Sequence, residues 1–166
     1  MISVRDAKAA DLPALTAIKG EGSEAVHRDR LRDARYPGFQ YLVLLADQEL
    51  IGYACLVIHR PAYWSDAADT QHLQQFVDLR VKESRRGQGY GSEFIRLIER
   101  ITVEAGFRQL YTWVEPLDNP RAYALYRRLG YQPLQPEPYW KTWEFTDSAG
   151  MLHHGEAWAL DMVKPL

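Results

Sequence analysis

Hydrophobic and polar positions along the chain follow two patterns, one typical of strands and one typical of helices. Short apolar runs rich in β-branched and aromatic residues predict strands over 2–5, 40–46, 50–58, 72–82, 110–114, 139–146 and 151–162. Apolar residues at helical spacing predict helices over about 11–19, 23–34, 89–105 and 120–129. The resulting order, β-α-α-β-β-β-α-β-α-β-β, predicts an α/β (α+β) fold. We expect a mixed, mostly antiparallel central sheet of about seven strands flanked by about four helices.

Local signals predict where several of these elements begin, end or bend. Asp11 and Ser23 are expected to cap the first two helices, and Asn119 to cap the last. Residues 47–49 and 147–150 are expected to turn hairpins, and 61–71 to form a polar loop. A glycine inside a strand, Gly52, predicts a bulge or a close approach of two backbones. The longest helix has one apolar face, formed by Phe94, Leu97, Ile98 and Ile101.

Length and charge narrow the class of protein. The chain has 166 residues and no repeat or linker, so we expect a single domain over 1–166. A net charge of −2 argues against the broad basic face that non-specific nucleic-acid binding requires. The longest apolar stretch, 51–58, is too short to cross a bilayer, and no apolar leader-like segment follows Met1. The lone cysteine, Cys55, lies in that stretch and is expected to fill the core, so we expect a cytoplasmic protein.

The most informative segment joins a strand to an amphipathic helix through a basic, glycine-rich turn. Arg85 and Arg86 precede three alternating glycines, Gly87, Gly89 and Gly91. A helix N-terminus presents unpaired amides and a positive dipole end, and glycine lets the backbone approach a phosphate closely. The turn has no lysine of the P-loop type, and its third glycine comes one position too early for the dinucleotide fingerprint. The segment therefore predicts an anion site of another kind.

Arg86, Gly89 and Gly91 have the spacing Arg-x-x-Gly-x-Gly, and this segment resembles the GNAT superfamily of acetyl-CoA-dependent N-acetyltransferases. A second segment, Asn119 to Tyr131, resembles the family's Asn-x-x-Ala-x-x-Leu-Tyr-x-x-x-Gly-Phe/Tyr motif. The two motifs occur in the family's order, and the predicted element order also agrees with it. The resemblance implies a GNAT-like sheet, acetyl-CoA as cosubstrate and an amine as acceptor.

The resemblance also implies a role for particular residues. The turn backbone would bind the CoA pyrophosphate, through Arg86, Gly87, Gln88, Gly89, Tyr90, Gly91 and Ser92. The main chain of Leu79 and Val81 would contact the pantetheine arm, as would Asn119. Tyr126 would protonate the leaving thiolate, although its position in an apolar stripe is also typical of a core aromatic residue.

The general base is open to several interpretations. An ammonium group must lose a proton before it can attack a thioester. Asp78 precedes Leu79 on the key strand and is the first candidate, either as base or as an ion-pair partner of Arg80 or Lys82. A water chain could replace it, and other candidate bases are His72, Glu83 and Glu115.

The acceptor is expected to be a small cationic amine. The resemblance implies that the acceptor pocket is formed by the first two helices, the loop near 61–71 and the last hairpin. Those segments contain aromatic residues suited to binding a cation: Tyr36, Phe39, Tyr63, Trp64, Tyr139, Trp140 and Trp143. They also contain acidic residues, which predict an acidic pocket: Glu21, Glu24, Asp29, Asp33, Asp66 and Asp69.

Three other interpretations of the same sequence remain: a protein or peptide N-acetyltransferase, a non-catalytic acyl-CoA-binding regulatory module, and a nucleotide-binding protein. The aromatic hairpin over 139–162 would permit a homodimer. No metal is expected, because His153 and His154 are adjacent on a strand and face opposite sides, and one cysteine cannot complete a zinc set.

Overall fold

The computed structural model describes residues 1–58 and 74–166. Its strands form one mixed sheet in the order β1-β2-β3-β4-β5-β8-β6, with β7 paired to β8. Among the described strands, β4 and β5 pair in parallel and the other pairings are antiparallel. The strands are β1 (Ile2–Asp6), β2 (Phe39–Ala46), β3 (Glu49–Val57), β4 (Gln75–Val81), β5 (Gln109–Val114), β6 (Gln132–Pro133), β7 (Tyr139–Thr146) and β8 (Leu152–Pro165).

Two pairs of helices cover the two faces of this sheet. They are α1 (Leu12–Lys19), α2 (Glu24–Asp33), α3 (Tyr90–Glu104) and α4 (Pro120–Arg128). Strand β2 shows how the faces divide, because its side chains alternate between the two hydrophobic clusters. Tyr41 and Val43 belong to the cluster that includes Leu15 of α1, whereas Leu42 and Leu44 belong to the cluster that includes α3 and α4. The α1/α2 layer and the α3/α4 layer therefore lie on opposite faces.

The predicted architecture is confirmed, with small differences at the ends of elements. The sheet has one strand more than expected, because the two-residue β6 is too short to leave a hydrophobic pattern. Strand β8 also extends to Pro165, beyond the predicted end at 162. The predicted loop 61–71 and the first residues of the predicted strand 72–82 lie outside the described residues.

Two helix-cap predictions are wrong. Asp11 and Ser23 directly precede α1 and α2, but neither side chain accepts a hydrogen bond from an amide of its helix. Asp11 does not cap α1, because its carboxylate accepts hydrogen bonds from Arg5 Nη1 and Nη2 at 2.7 and 2.8 Å. Ser23 does not cap α2, because its hydroxyl donates to the Gly20 carbonyl at 2.6 Å. Closer acceptors and donors outside the helix therefore compete successfully for both side chains.

Gly52 explains how β3 and β4 approach each other beside the site. A Cβ on Gly52 would lie 2.6 Å from the carbonyl oxygen of Arg80, closer than a real side chain allows. The β2–β3 register also shifts beside it, between Leu44 and Leu45. Both the bulge and the close approach predicted for this glycine are present, and the close approach brings β3 against the part of β4 that carries the candidate site.

Candidate active site

Strands β4 and β5 touch at one point and then separate. Their only residue pair in register is Gln75 with Tyr111, supported by a hydrogen bond from the Tyr111 amide to the Gln74 carbonyl at 2.8 Å. Beyond this pair, no backbone pairing joins the two strands among the described residues. Strand β3 pairs with one edge of β4, and the other edge faces the gap. This gap is suited to an extended ligand that hydrogen-bonds to a free strand edge.

A bulge in β4 lies beside the gap. Tyr53 pairs with Arg80 and Cys55 pairs with Val77, so one residue of β3 faces two of β4. Asp78 has a φ of 47°, an unusual backbone conformation for a residue other than glycine. The bulge turns Asp78 toward the α1/α2 layer, where Val77 already packs, while Leu79 packs against the α3/α4 layer.

The turn after β4 presents a row of main-chain amides. None of the amides of residues 87–92 donates a hydrogen bond to any described residue. Gly87 and Gly89 have φ values of 77° and 87°, which other residues adopt only with strain. The turn is exposed, and a Cβ on either glycine would meet nothing within 4 Å. Free amides at the start of α3 therefore form a cradle suited to an anion such as a phosphate group.

The two arginines of the turn are held differently. Arg85 pairs with Glu49, which also binds Lys82 Nζ at 2.7 Å. Arg86 instead donates from Nε to the Val81 carbonyl at 3.0 Å, at the end of β4. No described carboxylate pairs with its guanidinium. Arg86 is therefore the better placed of the two to meet an anion at the turn, and Arg85 braces the turn against β3.

The other residues predicted to bind the cosubstrate lie around the same gap. Val81 ends β4 opposite Gly52, and Gln88 braces the turn through a 3.2 Å hydrogen bond to the Ser84 carbonyl. Tyr90 and Ser92 lie in the first turn of α3. Asn119 caps α4, because its Oδ1 accepts a hydrogen bond from the Ala122 amide at 3.2 Å. The structure thus brings the predicted strand, turn and helix N-terminus together.

Tyr126 reaches this region from α4. Its ring packs edge-on against Phe76, with centroids 5.7 Å apart, and only 8% of the residue is exposed. Burial raises the pKa of Tyr126 to about 12, although a hydrogen bond with Thr112 acts in the opposite direction. Thr112 also donates to the Phe76 carbonyl at 3.0 Å, at the point where β4 and β5 separate. Tyr126 therefore combines a core ring with a protonated hydroxyl at the closed end of the gap.

Asp78 is surrounded by cations. Its carboxylate lies 3.0 Å from Lys19 Nζ, 2.7 Å from Arg30 Nη1 and 3.0 Å from Arg80 Nε. Burial alone would raise the pKa of Asp78, but Arg30, Lys19 and Arg80 outweigh that effect and hold it well below its usual range. A carboxylate with so low a pKa is a weak proton acceptor near neutral pH. Of the two ion-pair partners expected for Asp78, Arg80 is present, whereas Lys82 pairs with Glu49.

The structure describes two of the three remaining candidate bases, Glu83 and Glu115. Glu83 lies in a short 3-10 turn, Glu83–Arg85, and is exposed. Glu115 follows the last residue of β5, and His72 lies outside the described residues. Sequence reasoning missed Lys19, Arg30 and Thr112. No motif or spacing in the sequence indicates that the positive charges on α1 and α2 lie next to Asp78.

The predicted acidic pocket is not formed by the described part of its segments. Three of its carboxylates pair with arginines of their own helix: Glu24 with Arg28, Asp29 with Arg32 and Asp33 with Arg32. Glu21 is exposed, and Asp66, Asp69, Tyr63 and Trp64 lie outside the described residues. Of the aromatic candidates, Phe39 is in the core, Tyr139 hydrogen-bonds to Asp161, and Tyr36, Trp140 and Trp143 are exposed.

Comparison with known proteins identifies the family. The Acetyltransferase (GNAT) family model matches residues 5–131, and the chain belongs to this family. The cattle (Bos taurus) thialysine N-epsilon-acetyltransferase is 38% identical over 96 residues, which are 57% of this chain and 55% of that protein. The matched region thus spans about half the length of this curated relative.

Solved structures share the fold along nearly the whole chain. A phosphinothricin acetyltransferase from Sinorhizobium meliloti, in complex with AcCoA, is 26% identical with a TM-score of 0.66, covering 99% of this chain and 88% of that chain. The spermidine N-acetyltransferase from Vibrio cholerae, in complex with CoA and spermine, is 14% identical with a TM-score of 0.69, covering 99% and 95%. The resemblance inferred from the two motifs is therefore confirmed at the level of family and fold.

No helix in the described part of the chain is long and apolar enough to cross a membrane. Within residues 1–58 and 74–166, no group of three or more His, Cys, Asp or Glu side chains is arranged to hold a metal ion.

Proposed function

We propose that this protein is an acetyl-CoA-dependent N-acetyltransferase that acts on the primary amine of a small molecule. The proposal rests on the gap between β4 and β5 and on the turn that follows β4. In that turn, the main-chain amides of residues 87–92 donate no hydrogen bond to any described residue. Acetyl-CoA combines a diphosphate with a long, narrow arm, and the cradle and the gap fit these two parts. Relatives with the same fold bind AcCoA or CoA and act on phosphinothricin or spermidine, which supports a small amine as acceptor.

The chain binds each part of the cosubstrate with a different element. The amides of residues 87–92 and the guanidinium of Arg86 would hold the pyrophosphate. The edge of β4 around Leu79 and Val81 would hydrogen-bond to the pantetheine arm. The side-chain amide nitrogen of Asn119 would donate to the same arm, because its Oδ1 already caps α4.

Proton transfers are assigned to residues at the closed end of the gap. Acetyl-CoA supplies a thioester: a bond forms from the amine nitrogen to the acetyl carbon, the carbon–sulfur bond breaks, and an ammonium group becomes an amide with release of CoA thiol and one proton. Tyr126 would donate its proton to the departing sulfur, because burial keeps its hydroxyl protonated. One proton of the ammonium group would leave through water, since Asp78 is too weak a base when paired with three cations, and the second would restore the Tyr126 hydroxyl.

A thiol-release assay, combined with calorimetry, tests the proposal. Release of free thiol from acetyl-CoA would be followed across a panel of small amines, amino acids, polyamines and short peptides, with CoA, ATP and NAD titrated by calorimetry. We expect binding of CoA and thiol release with at least one small amine. Binding of ATP or NAD without binding of CoA would refute the cosubstrate assignment. Binding of CoA without turnover on any amine would instead favour a CoA-dependent sensor, and turnover on peptides alone a peptide acetyltransferase.

A further inference from the structure

We infer, on the basis of the proposed function, that the acceptor carries a carboxylate in addition to its reactive amine and that Arg80 and Lys19 bind this carboxylate. The acceptor would thus be an amino acid or a close derivative, not a simple polyamine. The inference starts from the charges around Asp78. Lys19, Arg30 and Arg80 all pair with this one carboxylate, and no other described carboxylate lies within ion-pair distance of them.

Among the described residues, this cluster contains three positive charges and one negative charge, and Arg80 is its most exposed member. The side chains of Lys19 and Arg30 are 23% and 17% exposed. Burial lowers the pKa of Lys19, and the positive charges of Arg30 and Arg80 lower it further. An excess of positive charge away from water is unfavourable unless an anion neutralises it. An acceptor carboxylate would provide that anion.

The cluster lies where an acceptor must enter. On the α3/α4 side of β4, the core and the ring of Tyr126 fill the space beside Phe76. The opposite side of the same strand presents Asp78 and Arg80 toward α1 and α2. Because β4 and β5 separate toward their carboxyl ends, the reactive end of a bound arm would lie near the bulge at Asp78. The amine therefore approaches past Arg80.

Arg80 and Arg30 have different roles in this arrangement. Arg30 lies over the rings of Tyr41 and Tyr53, 5.8 and 5.9 Å from their centroids, and is fixed in place. Arg80 is 42% exposed and uses only Nε to bind Asp78, so its two Nη groups have no described partner. A guanidinium with both Nη groups free can bind a carboxylate through two parallel hydrogen bonds. Lys19 Nζ forms an ion pair with the other carboxylate oxygen of Asp78, and it would give the acceptor carboxylate a second positive partner.

Acceptors that differ only in the acid group test the inference. Thiol release would be measured with amino acids that carry a side-chain amine, such as lysine and ornithine, with their carboxamides, and with the diamines that lack the carboxyl group. We expect kcat/KM for the best amino acid to exceed that for its carboxamide by about tenfold or more. Arg80→Gln would remove most of this preference, because kcat/KM would fall far more for the amino acid than for its carboxamide. Equal or better use of the carboxamide or the diamine would overturn the inference.

A binding measurement separates this inference from the proposed function. Calorimetry with protein saturated with CoA would compare each amino acid with its carboxamide, and it needs no turnover. Carboxylate-dependent binding that is lost in Arg80→Gln would support the inference even if no acetyl transfer occurred. If no amino acid bound more tightly than its carboxamide, the inference would be overturned, even if polyamines were acetylated. Lys19→Gln provides a second variant, and Arg28→Gln, an exposed arginine paired with Glu24 on α2, is the matched control. Unchanged affinity for CoA would show that each variant is folded.

Discussion

The hydroxyl of Thr112 donates a hydrogen bond to the main-chain carbonyl of Phe76 at 3.0 Å, and this bond joins β5 to β4 just where the two strands begin to separate. Thr112 is buried, and its side chain also lowers the pKa of the neighbouring Tyr126 hydroxyl, against the larger effect of burial. One threonine thus sets both the closed end of the gap and the position of the proposed acid.

Replacing Thr112 with valine keeps the shape of the side chain and removes its hydroxyl. We expect the free energy of unfolding to fall by about 1–2 kcal/mol, because the buried Phe76 carbonyl loses its partner. We also expect kcat to fall by about tenfold, because the Tyr126 hydroxyl loses the polar neighbour that lowers its pKa. Thr102→Val is the control, since Thr102 is equally buried and donates to the Ile98 carbonyl far from the gap. A loss of stability with unchanged kcat would assign Thr112 a purely structural role.

Tyr126→Phe removes the proposed acid but keeps its ring. We expect kcat to fall by about 10²–10⁴-fold, with the affinity for acetyl-CoA nearly unchanged, because the proton is needed only when the sulfur departs. Steady-state kinetics and calorimetry measure the two quantities. Tyr131→Phe removes a neighbouring buried hydroxyl, which hydrogen-bonds to Glu99, and serves as the control. Equal effects of the two variants would exclude a chemical role for Tyr126.

Gly89 tests the anion cradle. Gly89→Ala introduces a side chain at a φ of 87° among the free amides, and we expect the affinity for CoA to fall by more than tenfold. The turn would shift away from the left-handed conformation that aligns its amides. Gly106→Ala at the other end of α3 has a φ of 92° and similar strain, so it should cost similar stability without changing affinity. Equal affinity of both variants for CoA in calorimetry would place the pyrophosphate elsewhere.

His27 predicts a dependence of stability on pH. It is fully buried, and burial lowers its pKa to about 4, with Arg30 and Lys19 acting in the same direction. The unfolded chain takes up a proton near pH 6.5, whereas the folded protein does so only near pH 4. This contribution to stability is therefore complete above about pH 6.5 and is lost as the pH falls toward 4, by about 3 kcal/mol.

Urea denaturation at several values between pH 7 and pH 4 measures this effect. We expect His27→Gln to flatten the curve of unfolding free energy against pH, although it also alters the hydrogen bond between His27 Nδ1 and the Tyr41 hydroxyl. His154→Gln, at an exposed position on β8, is the matched control. If the unfolding free energy of His27→Gln depends on pH as steeply as that of the unmodified protein, other titratable groups cause the dependence.

Much of the site could be predicted from the sequence because it depends on local signals. The apolar spacing of α3, the glycines before it and the Asn119 cap are all contained in short segments, and each has the predicted place in the structure. The cluster around Asp78 could not be predicted. Lys19 and Asp78 are 59 positions apart, and a positive φ at an aspartate follows no hydrophobic pattern. Their contact depends on how α1 packs over a bulged strand, which is a property of the whole fold.

The two halves of the site depend on the sequence in different ways. The proposed pyrophosphate cradle consists of main-chain amides, so many substitutions of exposed side chains such as Ser84 would preserve it as long as the two left-handed glycines remain. The acceptor side depends on the side chains of Lys19, Asp78 and Arg80, and a single exchange there changes its charge. Descendants of this chain would therefore keep the same acetyl donor over long divergence while they acquire new acceptors through very few mutations.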